Sequence, residues 1–575
     1  MNDALEVWAP RATEVAVVLG DRRLDMDGPD ADGWFRAELP ADAGLDYCFS
    51  LDGGPPLPDP RSPWQPEGVH GPSRRVGHDA FSWSDDGWAA PPLADAVVYE
   101  LHVGTFSPEG TFDGAVARLG HLVDLGVTAV EVMPVAEFPG RRGWGYDGVD
   151  LWAPHSAYGG PGGFKRLVDA CHAHGLAVVL DVVYNHLGPD GNYLPQFGPY
   201  FTDRYSTPWG EAINFDGPDS DPVRAFVVDN ACMWVRDYHV EGLRLDAVHA
   251  IADISATHVV EEVADAVHRL ADDLGRPAWV VAESDLNDPR VVRDPELGGW
   301  GCDAQWSDDF HHALHAVLTG ERTGYYGDFG SPAQLAKALG QAYVYDGCRS
   351  DHRRRRHGRP PTGVAPSRFF GYLQNHDQVG NRAAGERSAA LMGTGRLKIA
   401  AALVLCSPFV PMLFQGEEWG ASTPFQYFTD HGDADLGRAV SDGRRREFAA
   451  FGWDPADVPD PQDPGTFDRS RLDWDEPGRS PHAEVLAWHR HLIRLRREVP
   501  ALSGGETEVR YDEEAAWLVV DRGPVSIVCN LAGGEQPVPL GEGRQGAALD
   551  PSFVSLLTDD GRAVVVPPET VVILG

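Results

Sequence analysis

Apolar residues are spaced in three different ways along this chain. Up to about residue 90 they alternate with polar ones in short runs, LEVWAP, EVAVVL, GWFRAEL and DYCFSL, separated by turn-rich segments. Alternation places side chains on opposite faces of an extended segment, so this region predicts a small β-sandwich. A Pro- and Gly-rich stretch, GGPPLPDPRSPWQPEG, closes the unit, and WSDDGWAAPPLADA reads as a linker. From about 91 to 500, short β-rich runs alternate with helical patterns. The runs are 97–103, 129–134, 177–183, 242–248, 278–284, 302–306, 368–374 and 409–415. The helical patterns include GAVARLGHLVDLG (114–126), GGFKRLVDACHAHG, VRAFVVDNACMWVRDYH, VVEEVADAVHRLADDLG and AEVLAWHRHLIRLRREV. Eight strand–helix units predict a parallel sheet, and eight strands close a barrel. An open doubly wound sheet is the alternative, but no glycine-rich phosphate loop accompanies it. From about 501 the pattern returns to strands, EVRYDEEAAWLVVDRGPVSIVCNL and AVVVPPETVVIL. The predicted class is α/β: a (β/α)8 TIM barrel over 91–500, with an excursion loop near 184–221. A β-sandwich precedes it over 1–90, and an antiparallel β domain follows over 501–575.

Charge narrows the partners. The 575 residues carry a formal net charge of -39. Such a surface repels phosphate and anionic lipid, so neither nucleic acid nor membrane is an expected partner, whereas a neutral sugar meets no repulsion. The basic run His352-Arg353-Arg354-Arg355-Arg356-His357 stands against this background and reads as a solvated loop compensating nearby acids. Seven scattered cysteines, an odd number with no CxxC pair, read as reduced residues rather than a disulfide framework or zinc site. Cys171, Cys232 and Cys406 lie in apolar helical patterns, which predicts burial. The start, MNDALEVWAPRATEV, has no basic and apolar leader pattern, and no run approaches the ~18 apolar residues of a membrane span. A cytoplasmic enzyme, monomer or homodimer, is the expectation.

In a barrel of this kind, chemistry sits where the strands end at their C-terminal side. The polar residues closing the apolar runs are Asp181, Asn185 and His186; Arg244 and Asp246; Glu283; and Asn375, His376 and Asp377. A single Asp at a strand end is more often a helix cap or ion-pair partner than a catalyst, and a single His a satisfied polar residue. Here they fall on four strands at the same end, and that joint pattern points to a site. Cleavage of a glycosidic bond needs one carboxyl as acid/base and one as nucleophile, ~5 to 5.5 Å apart in retaining enzymes. Asp246 and Glu283 lie on neighbouring strands. Arg244 shares the face of Asp246 two residues on, and its charge suits an ionised nucleophile. Glu283 follows the apolar run AWVVA, a setting that withdraws its carboxyl from water as a general acid requires.

DVVYNH (181–186), GLRLDAVH (242–249), VAES (281–284) and QNHDQ (374–378) resemble the four signature segments of the α-amylase family, glycoside hydrolase family 13. The resemblance implies Asp246 as nucleophile, Glu283 as general acid/base and Asp377 as transition-state stabiliser. It implies that Asp181, His186, Arg244 and His376 line the subsite of the cleaved glucose. Tyr146, in GWGYDGV, would be the aromatic platform beneath that sugar, with a plain core tyrosine as the alternative. Further segments, VYELHVGTFSPEGTF, PVAEFPGRRGWGYDGV, YNHLGPDGNYL, AESDLNDPR, QWSDDFHHALHAVLTGE and NHDQVGNRAAGER, resemble the maltooligosyltrehalose trehalohydrolase branch of that family. VWAPRATEVAVVL resembles the immunoglobulin-like, carbohydrate-binding-module type sandwich found there and in isoamylases and branching enzymes.

That branch hydrolyses the α-1,4 bond next to the terminal trehalose of maltooligosyl trehalose, which implies related α-glucans as ligands and a role in trehalose biosynthesis. By resemblance, substrate contacts extend to Leu245, Ala247, Val248 and His249, to Asp308, Asp309, Phe310, His311 and His312, and to Gln378, Val379, Gly380 and Asn381. Trp209 reads equally as a stacking wall or as buried core. Many α-amylases hold calcium through an Asn matching Asn185. No acidic cluster follows here, so the expectation is neither metal nor cofactor, with Asn185 hydrogen-bonding in the rim. A glycogen branching or debranching enzyme of the same family is the alternative activity. A glucan-binding protein on a dead barrel is the alternative class, and its signature, loss of a carboxylate, is missing.

Overall fold

The eight β-rich runs of the central region form eight parallel strands in a computed structural model of the chain, which describes residues 4–450, 458–541, 549, 557–558 and 562–575 (449 and 450 by backbone alone). They are β1 (Val98–Leu101), β2 (Ala129–Val132), β3 (Ala177–Val182), β4 (Gly242–Leu245), β5 (Trp279–Ala282), β6 (Ala304–Trp306), β7 (Phe369–Gly371) and β8 (Val410–Phe414). Each pairs with the next, and β8 pairs with β1, so the barrel closes in chain order. Nearly every strand residue is buried, as expected when side chains on one face fill the barrel and those on the other meet helices.

The long apolar helical patterns form α1 (Gly160–Ala173), α2 (Asp221–Asp237), α3 (Val259–Leu274), α4 (Asp308–Thr319), α5 (Thr394–Leu405), α6 (Ala434–Ala450) and α7 (His482–Glu498). The pattern 114–126 instead breaks into Phe112–Val116 and Leu119–Leu125, the second ending at Gly126 in a left-handed cap. α6 had no counterpart in the hydrophobic pattern because its sequence, ADLGRAVSDGRRREFAA, has only three large apolar residues, Leu436, Val440 and Phe448. Cys232 is half-buried rather than buried, since α2 turns that position partly outward.

Antiparallel sheets flank the barrel. Toward the N-terminus, Ala4–Trp8 pairs with Trp34–Glu38, and a four-stranded sheet runs in the order Arg22–Asp25, Val15–Leu19, Asp46–Leu51, Ser73–Arg74. Toward the C-terminus, Thr507–Asp512, Trp517–Arg522, Val525–Asn530 and Thr570–Leu574 form another. The segment before the barrel is tied to its helices by stacked rings and charge: Trp83 lies on His239 at 3.8 Å, and Asp85 bonds both His239 and His172.

α7 carries a fully buried arginine. Arg496 donates to the carbonyls of Leu405 (3.0 Å), Ser407 (2.9 Å) and Phe409 (2.7 Å), the turn that leads from α5 into β8. Those carbonyls have left the helix ladder, and the guanidinium satisfies all three at once. Arg496→Met should therefore destabilise the fold by about 2–4 kcal/mol, because buried acceptors are left unpaired. Chemical denaturation of the variant checks this, and an unchanged midpoint would contradict it.

Candidate active site

Strand register builds the floor of the site. Asp181 on β3 pairs directly with Arg244 on β4, so both side chains point into the barrel mouth. Arg244 is completely buried. Its Nη1 donates to both Asp181 oxygens (2.8 and 2.7 Å) and to Asp246 Oδ1 (2.9 Å). Its Nη2 lies 3.0 Å from Glu283 Oε2, an ion pair whose angle is poor for a hydrogen bond. The cation also sits 4.3 Å from the centre of the Trp306 ring. One guanidinium thus holds three carboxylates, and the span of a single planar fork suits the ~5 to 5.5 Å spacing of a double displacement. Burial pushes the Asp181 carboxyl up to about 7, against the pull of Arg244.

The turn after β4 aims the acid/base candidate. Ala247 takes a left-handed conformation (φ 37°), strained for a residue with a Cβ, and its N–H donates to Glu283 Oε2 at 2.8 Å. Val248 N–H donates to the Glu283 carbonyl (3.0 Å), so backbone and side chain of Glu283 are both fixed by the segment that carries Asp246. Tyr146 hydrogen-bonds Asp181 Oδ2 (2.5 Å) and stacks on His376 at 5.0 Å. The chain reaches that position through Gly145 (φ 100°), where a Cβ would meet the Pro134 carbonyl at 2.1 Å.

His376 and Asp377 begin a short helix, His376–Gly380, capped by the Asn375 side chain, which accepts from the N–H groups of Asp377 and Gln378. Beneath, the His376 ring and backbone N–H both bond the Glu100 carboxylate of β1. Burial opposes a charge on His376, but Glu100 outweighs it and raises the imidazole to about 9. Burial pushes His186 down to about 4 instead, leaving a neutral ring that donates from Nε2 to the Tyr146 carbonyl.

These groups open into a cleft of about 620 Å³. Of the residues expected from sequence, Tyr146, His186, Trp209, Asp246, Ala247, His249, Glu283, His376, Asp377 and Asn381 line it. Asp181 and Arg244 lie just below. Trp209 is half exposed and stacks face to face on His186 at 4.2 Å, so it is no core residue. Other expected contacts lie elsewhere. Leu245, Val248, Phe310 and Val379 are buried in the apolar core. Asp309 holds Asn287 and the backbone of 344–345, and His311 holds the Leu373 carbonyl and Tyr326. Gly380 packs against Trp144, which a Cβ would meet at 2.0 Å. Asp308 bonds Tyr372 (2.6 Å) and Gln378 (3.4 Å), and burial with the added charge of Glu283 pushes it up to about 8. His312, half-buried against Tyr325 and Phe329, is pushed down to about 3 by burial. Two short strands, Arg349–Ser350 and Arg355–Arg356, pair across the basic run, whose Arg354, Arg355 and Arg356 are exposed. Arg353 pairs with Asp285 (3.0 Å) and buried His357 bonds the Asp285 carbonyl (2.6 Å), two residues after Glu283.

Sequence reading missed part of the cleft. Trp144, Asp147, Pro208 and Tyr427 line it, as do Val440, Gly443, Arg444 and Glu447 of α6. It also missed Glu100 and Glu131, acids inside apolar strands; a polar position within an all-buried strand was the available signal. Both Glu131 oxygens lack a hydrogen-bond partner among the described residues, and burial raises its carboxyl well above the usual range. Among the described residues no group of three or more His, Cys, Asp or Glu could hold a metal ion. Asn185 is buried with its side-chain amide 3.1 Å from His186 Nδ1.

The His376–Glu100 pair makes a pH prediction. His376 is raised from 6.5 to about 9, so its stabilising contribution is complete below about pH 6.5 and is lost as pH rises through 9. Denaturation at pH 6 and pH 9.5 should show wild type losing more stability with pH than His376→Gln; equal slopes would contradict the pairing.

Comparison with known proteins agrees with the geometry. A profile of the alpha-amylase catalytic domain matches residues 77–199. The malto-oligosyltrehalose trehalohydrolase of Arthrobacter ramosus is 52% identical across 95% of this chain and 97% of its own length. That of Rhizobium sp. (strain M-11) is 48% identical across 99% and 97%. The crystal structure of a putative alpha amylase from Salmonella typhimurium superposes with a TM-score of 0.90 at 39% identity, covering 99% of this chain and 97% of that one. Identity of this extent, over a closed barrel with acids gathered on one arginine, places the chain in the malto-oligosyltrehalose trehalohydrolase family of α-amylase-type glycoside hydrolases.

Proposed function

We propose that the protein hydrolyses the α-1,4-glucosidic bond next to the terminal trehalose of maltooligosyl trehalose, releasing trehalose by a retaining double displacement. The observation that carries the reading is the single buried guanidinium shared by Asp246, Glu283 and Asp181. In the first step the Asp246 carboxylate attacks the anomeric carbon while Glu283 gives its proton to the glycosidic oxygen. Trehalose leaves with that proton, and the shortened glucan remains as an ester on Asp246. In the second step Glu283, now a carboxylate, takes a proton from water. The oxygen attacks the same carbon and frees Asp246. Asp377 stabilises the oxocarbenium-like transition state.

Tyr146 and His376 offer flat surfaces to the cleaved glucose, and Trp209 continues that wall over His186. On the leaving-group side, His249 lines the cleft with Glu283 and supplies a polar contact for trehalose hydroxyls. We propose a cytoplasmic location, supported by seven unpaired cysteines; no helix among the described residues is long and apolar enough to cross a membrane.

Asp246→Asn and Glu283→Gln should each abolish trehalose release, by about 10³-fold or more, with the folded structure retained. Turnover near wild type in either variant would overturn the assignment. Product analysis on maltooligosyl trehalose, and separately on amylose and glycogen, should give free trehalose from the first. New branch points or α-1,6 cleavage without trehalose would favour a branching or debranching activity.

A further inference from the structure

We propose that Arg444, on the polar helix α6 outside the barrel, is a positioning residue that fixes Asp377 through the amide of Asn381. The inference rests on the reading of Asp377 as transition-state stabiliser. Asp377 sits in the first turn of a five-residue helix, and nothing in its own backbone selects its side-chain orientation. Among the described residues its carboxylate accepts one hydrogen bond, from Asn381 Nδ2 at 3.0 Å. His376 Nε2 is 3.9 Å away, too far for a second.

The amide of Asn381 could face either way, since its oxygen and nitrogen are nearly alike in shape. Arg444 decides. Its Nη1 lies 3.1 Å from Asn381 Oδ1, and a guanidinium can donate but never accept. Oxygen must therefore face Arg444, which leaves the amino group pointing at Asp377. The reverse orientation would set N–H against N–H and oxygen against carboxylate.

Arg444 is itself held on every side. Nη2 donates to the Gly380 carbonyl (2.9 Å), and Nη1 pairs with Glu447 (3.1 Å). Its cation lies 4.6 Å from the Tyr427 ring centre and 4.9 Å from that of Phe448. With these donors committed within the protein, Arg444 lines the cleft but works through Asn381. The relay also ties the position of α6, whose Val440, Gly443 and Glu447 wall the cleft, to the geometry of Asp377. A carboxylate misplaced by about an ångström costs up to about a hundredfold in rate.

The test compares Arg444→Met, Asn381→Leu, the double variant and Asp377→Asn on maltooligosyl trehalose. Arg444→Met and Asn381→Leu should each lower kcat by about tenfold to a hundredfold, with KM changed less than about threefold. The double variant should be no slower than Asn381→Leu alone, within about twofold, because both cut one relay. Asn381→Leu keeps the bonds of Arg444 to Gly380 and Glu447, so it tests the relay even if Arg444→Met fails to fold. Wild-type kcat in folded Arg444→Met, additive losses in the double variant, or a change confined to KM would each overturn the proposal. If Asp377→Asn itself turns over normally, the reading of Asp377 fails. If it is inactive while Arg444→Met is unimpaired, the relay alone fails.

Discussion

Everything at the mouth of the barrel depends on the charge of Arg244. It is a cation without solvent, and removing such a group from water costs several kcal/mol unless its charge and donors are met. Asp181, Asp246 and Glu283 meet them, and Trp306 covers the remaining face. The dependence is mutual, because three carboxylates this close repel one another, and Arg244 is the positive charge that lets them share a site. Replacing it would strand buried acids, a class of change that costs about 3–5 kcal/mol.

A second, smaller layer repeats the arrangement. Glu100 and the raised imidazole of His376 form a buried pair, and burial raises the carboxyl of Glu131 beside them. The site gathers several acids around Arg244 and His376, in a protein with a formal net charge of -39. A neutral sugar enters without electrostatic penalty, and positive charge developing at the anomeric carbon finds carboxylates already in place.

The shape of the cleft comes from outside the barrel strands. Tyr146 and Trp144 stand on either side of Gly145, which has no room for a Cβ, and Gly380 admits the Trp144 ring. Trp209 reaches in from a hairpin, and α6 closes one wall. The barrel strands carry Asp181 and Arg244, while loops and α6 supply most of the cleft wall.

The alternation and helical periods alone determined the eight strands and the flanking sheets, because burial on both faces of a strand demands an apolar run of that length. Asp246, Glu283 and Asp377 were legible for the same reason, since polar residues that end such runs must lie at the barrel mouth. Contacts for residues 308–312 and 376–381 were legible only by resemblance, and of these His376, Asp377 and Asn381 line the cleft. Phe310, His311 and Val379 belong to the face of their helices that packs inward. Periodicity sees a side chain's face but not which neighbour it meets. Glu100 and Glu131 were hidden because acids inside apolar strands have meaning only through partners on other strands. Arg444 was hidden more deeply, on a polar helix with no apolar stripe to mark it. Only tertiary structure joins it to Asn381 and Asp377, since a hydrogen bond depends on where two groups meet in space and leaves no spacing in the chain.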